Sequence, residues 1–231
     1  MFNLEKNNTI KSESFSISVA EAILELERDK EEIYQFSSRI NETEATEGAR
    51  EYTIDELPKP RELQRLANLP FEISITEYEG KILLSTGTPE LASHRFDIDG
   101  KKIDMVNKRH NYSKVSIHTH PQEGVEQAHV PSLDDLLSLV GDTKPMYIAS
   151  PEKLCVVGFA ADVTEQEIEM VYKELEEMRE GYESGALHKN FVQESAMDTF
   201  TKLQNTLGDR MMVREYEWDE GAIIDELKNL T

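Results

Sequence analysis

The chain has 231 residues, 38% hydrophobic and 31% charged, which suits one good-sized core or one domain with appendages. Its formal net charge of −21 and sequence pI near 4.7 argue against nucleic acid as a partner, because phosphate binding relies on clustered lysine and arginine. No apolar run approaches membrane-spanning length, the first residues lack the basic-then-apolar pattern of a signal peptide, and the single cysteine, Cys155, excludes an internal disulfide. A cytoplasmic protein without a membrane partner is therefore expected.

In chain order, the residues up to about Ser16 are polar and mixed, and little order is expected of them. Val19, Ile23, Leu26, Ile33 and Ile40 then recur at helical spacing, with Lys30 interrupting the stripe, so an amphipathic helix is predicted from about Ser18 to Arg39. Asn41 to Gly48 is acidic and breaker-rich and reads as a linker, and Pro58 and Pro60 mark the start of a central domain. A helix-like stretch, Arg61 to Ala67, precedes Phe71–Tyr78, Lys81–Thr86, Arg95–Ile98 and Lys102–Val106, which read as a β-meander with turns at Glu79-Gly80 and Asp99-Gly100.

A strand from Val115 to His120 follows. Pro131-Ser132-Leu133-Asp134-Asp135 then opens an apolar helix carrying Leu136, Leu137, Leu139 and Val140. Pro145–Ala149 and Leu154–Phe159 form a second hairpin, in which Cys155 reads as a buried strand residue. Thr164-Glu165-Gln166-Glu167 is a capping box, with Ile168, Val171, Tyr172, Leu175 and Met178 as the stripe of its helix. A further helix is expected from about Leu187 to Leu207 (Val192, Ala196, Phe200, Leu203 and Leu207 on one face), ended by Gly208-Asp209. Met211 to Trp218 reads as a strand, and Ile223, Ile224 and Leu227 as a closing helix. No internal repeat is found. The division that follows is 1–60 (helical extension and acidic linker), 61–163 (core) and 164–231 (mainly helical extension), with an α/β fold built on a mixed sheet flanked by helices.

The chemistry concentrates in His118-Thr119-His120-Pro121 and the Pro-Ser-x-x-Asp that follows. Alternation along a strand sends Ser116, His118 and His120 one way and Val115, Ile117 and Thr119 the other, toward a core. Two imidazoles with a carboxylate at the start of the next helix make a borderline-soft N/N/O set of the kind zinc prefers, and three protein ligands leave a fourth position for water. Ser132-x-x-Asp135 is equally a helix-capping pair, and that role does not exclude a catalytic one.

These residues resemble the signature of the JAB/MPN (JAMM) metalloproteases of MPN+ type: an upstream glutamate, H-x-H-P, and a loop ending in P-S-x-x-D. The resemblance covers about Pro70 to about Phe159. It implies the JAB/MPN, cytidine-deaminase-like fold. It also implies His118, His120 and Asp135 as Zn2+ ligands, Ser132 as the serine beside the metal-bound water, and an upstream glutamate as general base. Glu72, in Leu69-Pro70-Phe71-Glu72, is preferred as that base, with Glu90 as its competitor and Glu77 and Glu79 behind them. Eleven residues, Pro121 to Pro131, separate His120 from Ser132, where the family usually has seven, and this departure bears on substrate class rather than on metal binding.

The substrate implied is an amide or isopeptide bond at the C-terminal tail of a ubiquitin-like or sulfur-carrier protein, with the tail added as a strand at an exposed sheet edge beside the site. The alternatives are a non-catalytic MPN-fold scaffold or binding module, a same-fold peptidase for small substrates, and an unrelated H-x-H metal hydrolase. Of the other histidines, His129 reads as a loop residue that could approach the site, and His94, His110 and His188 carry no signal.

Overall fold

The structure, a computed structural model, describes residues 16–37, 50–87, 95–98, 101–104, 116–121, 131–140, 144–171, 173, 200–219 and 221–228. Helix α1 (Val19–Ser37) starts where Ser18 and Glu21 cap each other. The Glu21 N–H donates to Ser18 Oγ at 3.3 Å, and the Ser18 N–H and Oγ–H donate to Glu21 Oε2 at 3.0 and 2.7 Å. Of its expected stripe, Val19, Ile23, Leu26 and Ile33 are buried, with Ala22 beside them, while Ile40 and the expected end at Arg39 lie outside the described residues. Strand β1 (Glu51–Ile54) follows, then α2 (Pro60–Ala67), with proline at its first position. Strands β2 (Ile73–Tyr78) and β3 (Lys81–Thr86) form a hairpin whose two turn residues, Glu79 and Gly80, have φ of 50° and 78°. Two successive positive φ values are what a tight type I′ turn needs, and glycine adopts the second without strain.

Strands β4 (Arg95–Ile98) and β5 (Lys101–Asp104) pair as a separate two-stranded sheet. Then come β6 (Ser116–Thr119), α3 (Leu133–Leu139), β7 (Met146–Ala149) and β8 (Lys153–Phe159). Helix α4 (165–171) opens on the expected box, in which Thr164 N–H and Oγ1–H donate to Glu167 Oε2 at 3.1 and 3.0 Å. Helix α5 (200–207) runs into a short 3-10 turn (Gly208–Arg210), then β9 (Met211–Glu217) and α6 (Gly221–Lys228). The N-terminal part of the helix expected from Leu187, and the stripe positions Tyr172, Leu175 and Met178, lie outside the described residues.

Seven strands make one mixed sheet in the order β1-β3-β2-β6-β7-β8-β9, parallel only between β6 and β7. The stretches expected as extensions supply its two edges, β1 and β9. The outer side of β1 is engaged by Ile17, whose N–H donates to Thr53 O at 2.9 Å and whose carbonyl accepts from Asp55 N–H at 3.1 Å. The sheet separates two cores. On one face Ile73, Ile75, Ile117, Tyr147, Ala149, Leu154 and Val156 pack with α1, α2 and Ile223 of α6. On the other, Met146, Ile148, Cys155, Val157 and Phe159 pack with α3, α4 and α5. Helices thus cover both faces of a mixed sheet, an α/β architecture. Among the described residues no helix is long and apolar enough to cross a membrane.

Candidate metal centre

Alternation along β6 sends Ile117 into the first core and His118 to the opposite face, where it is 5% exposed. His118 pairs with Ser74 on β2 and with Ile148 on β7, and Ile148 and Cys155 belong to the core under α3, so the imidazole lies on the α3 face. One residue past the strand, the His120 N–H donates to Ala149 O at 2.9 Å. That bond keeps the chain extended, and the two rings emerge on one side with their Nε2 atoms 3.0 Å apart, centroids 4.8 Å apart and planes tilted by 56°.

The carboxylate arrives from the first turn of α3. Ser132 caps the helix by accepting the Asp135 N–H on Oγ at 3.1 Å, while its own N–H and Oγ–H each donate to Asp135 Oδ2 at 2.8 Å. Held so, Asp135 places Oδ1 3.1 Å from His118 Nε2 and Oδ2 3.4 Å from His120 Nε2. Taking one ligand atom from each residue, the three lie within 4.8 Å of one another.

This group could hold a metal ion, and its distances suit one. With bonds of about 2.0–2.2 Å, the ligand atoms of a tetrahedral ion are separated by roughly 3.3–3.6 Å, and the two imidazole nitrogens, 3.0 Å apart and each 3.1–3.4 Å from a different oxygen of the carboxylate, lie near that range. Hydrogen bonding alone cannot satisfy the three contacts together, because a proton on His118 Nε2 can be directed to His120 or to Asp135 but not to both. Burial works to raise the Asp135 carboxyl, but the charge and hydrogen bonds of His118 and then His120 outweigh it and hold the group well below the usual carboxylate range. An ionised carboxylate is the form that ligates.

The other expected residues fall in different places. Ser132 lies in the group through its bonds to Asp135, and its proton is directed at that carboxylate because it completes the helix cap. Glu72 is 8% exposed just before β2, and alternation with Ser74, the partner of His118, sets it on the side of the sheet that carries the histidines. Glu77 alternates with Ile73 and Ile75 onto the opposite face, and Glu79 sits in the turn at the far end of β2, so neither accompanies the histidines. Glu90 and the remaining four histidines lie outside the described residues.

Two side chains near the site carry polar roles that sequence patterning passes over. Thr119, assigned by alternation to the core side, accepts the Ile73 N–H on Oγ1 at 2.9 Å. Ser85, paired with Ser74, is fully buried with its Oγ unpartnered. Cys155 is the buried strand residue expected, its thiol pushed up to about 12 by burial and then by the charges of Glu215 and Asp135. The edges of the main sheet lie three strands from β6 on either side, about 14 Å at the usual strand spacing, so neither provides the neighbouring edge that an added substrate strand was expected to use.

Compared with protein-family models, with curated proteins and with solved structures, the chain matches none. The functional reading therefore rests on the residues of the site.

Proposed function

We propose that this protein is a zinc-dependent metallopeptidase of the JAB/MPN type, hydrolysing an amide or isopeptide bond at the C-terminal tail of a ubiquitin-like or sulfur-carrier protein. The observation that carries the reading is the convergence of two imidazole nitrogens and a carboxylate at 3.0–3.4 Å, in the order and context of an H-x-H-P and P-S-x-x-D signature. His118, His120 and Asp135 would hold the ion. Zinc there would supply Lewis acidity, lowering the pKa of a water toward neutrality and polarising the substrate carbonyl.

The chain's own residues handle the protons. Glu72, buried just before β2 on the side that carries the histidines, takes the proton of the attacking water and returns it to the leaving amine. Asp135, held ionised by the histidines, stays a ligand and does not compete for that proton. The Ser132 hydroxyl turns from Asp135 to meet the oxyanion, while the Ser132 N–H stays on Oδ2 and keeps the carboxylate oriented. A reducing cytoplasm suits a chain whose single thiol is buried and unpaired with another.

Elemental analysis of protein purified without chelator, paired with cleavage assays on an isopeptide-linked ubiquitin-like conjugate and on short peptides, tests this reading. One zinc per chain and preferential cleavage of the conjugate are expected, and Glu72→Gln should lower kcat by about 10²–10⁴-fold, to a residual but measurable rate, while leaving zinc bound. Absence of stoichiometric metal would overturn the centre. Stoichiometric zinc without cleavage of either substrate would overturn the hydrolase and leave a non-catalytic scaffold of the same fold.

A further inference from the structure

The peptide group joining Glu72 to Ile73 is gripped from both sides. Toward β3, the Glu72 carbonyl accepts the Gly87 N–H at 2.7 Å, which carries the β2–β3 ladder one residue past Ile73–Thr86. Toward β6, the backbone register ends at Ser74–His118, and beyond it the Ile73 N–H donates to Thr119 Oγ1 at 2.9 Å. Ile73 and Thr119 are both fully buried. At the end of β6 that bears the histidines, a hydroxyl thus takes over the acceptor role that a strand carbonyl fills elsewhere in the sheet.

Thr119 lies between the two histidines and on the face opposite to them, among Ile73, Ala149 and Ile117. Packing alone would favour valine there, which has the same shape, and valine would leave a buried N–H without its acceptor. The same contact determines where Glu72 stands. Its carboxylate is carried on a flexible side chain, so where it can reach depends on the backbone from which it springs, and one bond to that peptide group comes from Thr119.

We propose that Thr119 is a positioning residue for the hydrolysis described above: its hydroxyl anchors the Glu72–Ile73 peptide group and so fixes the backbone from which the Glu72 side chain rises on the histidine face of the sheet. The inference rests on Glu72 as proton carrier. Thr119 touches neither substrate nor ion and acts only through Glu72.

The test compares full-length, zinc-loaded wild type with Thr119→Val, Thr119→Ser, Glu72→Gln and the Glu72→Gln/Thr119→Val double variant. Zinc affinity is read by chelator competition, exchange of the Ile73 amide by NMR, and kcat and KM on the ubiquitin-like conjugate. Thr119→Val should keep zinc affinity and KM close to wild type, expose the Ile73 amide to faster exchange, and lower kcat by about 10–10²-fold, the scale of a misplacement near 1 Å. Thr119→Ser, which retains the acceptor, should restore both exchange protection and kcat. In the Glu72→Gln background the valine should cost nothing further, because the loss already runs through Glu72.

Wild-type kcat in Thr119→Val, or an equal loss with and without Glu72, would overturn the inference. Should the valine variant fail to fold, Thr119→Ala removes the same acceptor without added bulk and is judged by the same criteria. A zinc-loaded wild type that cleaves nothing refutes the hydrolase reading itself, whereas normal cleavage by wild type and by Thr119→Val refutes only the role of Thr119.

Discussion

Ser132 holds two roles that can be separated by measurement. Its hydroxyl accepts the Asp135 N–H at 3.1 Å, which caps α3, and donates to Asp135 Oδ2 at 2.8 Å, which aims the carboxylate at the histidines. Replacing an N-terminal cap serine by alanine costs about 1 kcal/mol, whereas glycine costs only a few tenths, because glycine leaves the exposed N–H groups open to water. Loss of the hydrogen bond that orients a metal ligand typically lowers affinity about 10–100-fold, equivalent to about 1.4–2.7 kcal/mol. Ser132→Ala and Ser132→Gly both keep the backbone N–H on Oδ2 and both lose the hydroxyl.

The expected pattern is therefore asymmetric. Without zinc, urea unfolding should show a loss of about 1 kcal/mol for alanine and a few tenths for glycine. In chelator competition both variants should bind zinc about 10–100-fold more weakly than wild type. If zinc affinity instead follows the helix-cap energies, with the glycine variant close to wild type, the hydroxyl only caps the helix, and the orienting role assigned to it is refuted.

Three further predictions concern the packed sheet. Cys155, 1% exposed and with its thiol pushed up to about 12, should resist alkylation in the folded protein and react at once when unfolded, as mass spectrometry would show. Burial, followed by the charge of Glu25, raises the Tyr52 phenol to about 12. Because the folded value lies above the unfolded value of about 10, the stability linked to this group is intact below pH 10 and lost as pH rises toward 12. Tyr52→Phe should flatten the alkaline limb of a stability-versus-pH curve, and an unchanged limb would place the titration elsewhere. Ser85→Ala removes a buried hydroxyl without a partner, so thermal denaturation should show a neutral change or a gain of up to about 1 kcal/mol; a clear loss would mean that the hydroxyl is satisfied in solution.

The elements that could be read from sequence are those whose burial is periodic. Alternation gave β2, β3, β7 and β8 to within a residue or two, and the stripe of α1 and the capping box of α4 mark real helix starts. Strand β1 was passed over because Glu51-Tyr52-Thr53-Ile54 is short, follows an acidic run, and buries fully only Ile54. As an edge strand it needs one packed side, which leaves little pattern to detect. That the two flanks close the sheet at its edges was also illegible, since pairing β1 with β3 and β8 with β9 depends on partners distant in the chain.

In the candidate site, the shared face of His118 and His120 follows from the two-residue period, and the Ser132–Asp135 bonds follow from helix capping, so both could be read locally. The partition among the candidate glutamates was not local. Glu72 and Glu77 differ by an odd number of positions and so face opposite sides of β2, but only the β2–β6 register shows which of those sides carries the histidines. Thr119 escaped notice for the same reason: alternation assigns it correctly to the core side, while its hydroxyl bond forms within the plane of the sheet, where patterning is silent.

What brings the histidines to the aspartate is the single parallel pairing in the sheet. Strands β6 and β7 run the same way, so the chain leaving the end of β6 must cross over and return to the start of β7, and α3 is the described helix of that crossover. In such a unit the last residues of the first strand and the first turn of the helix converge at one end of the sheet, where sites in α/β proteins commonly form. His118 and His120 occupy the first position and Ser132 and Asp135 the second. The stretch between Pro121 and Pro131 can therefore be longer than in the signature it resembles without separating the histidines from Asp135, because their meeting is set by the strand pair and helix, and lengthening a loop adds only slowly to its closure cost. Variation in that stretch is therefore expected to leave intact the geometry of the His118–His120–Asp135 group.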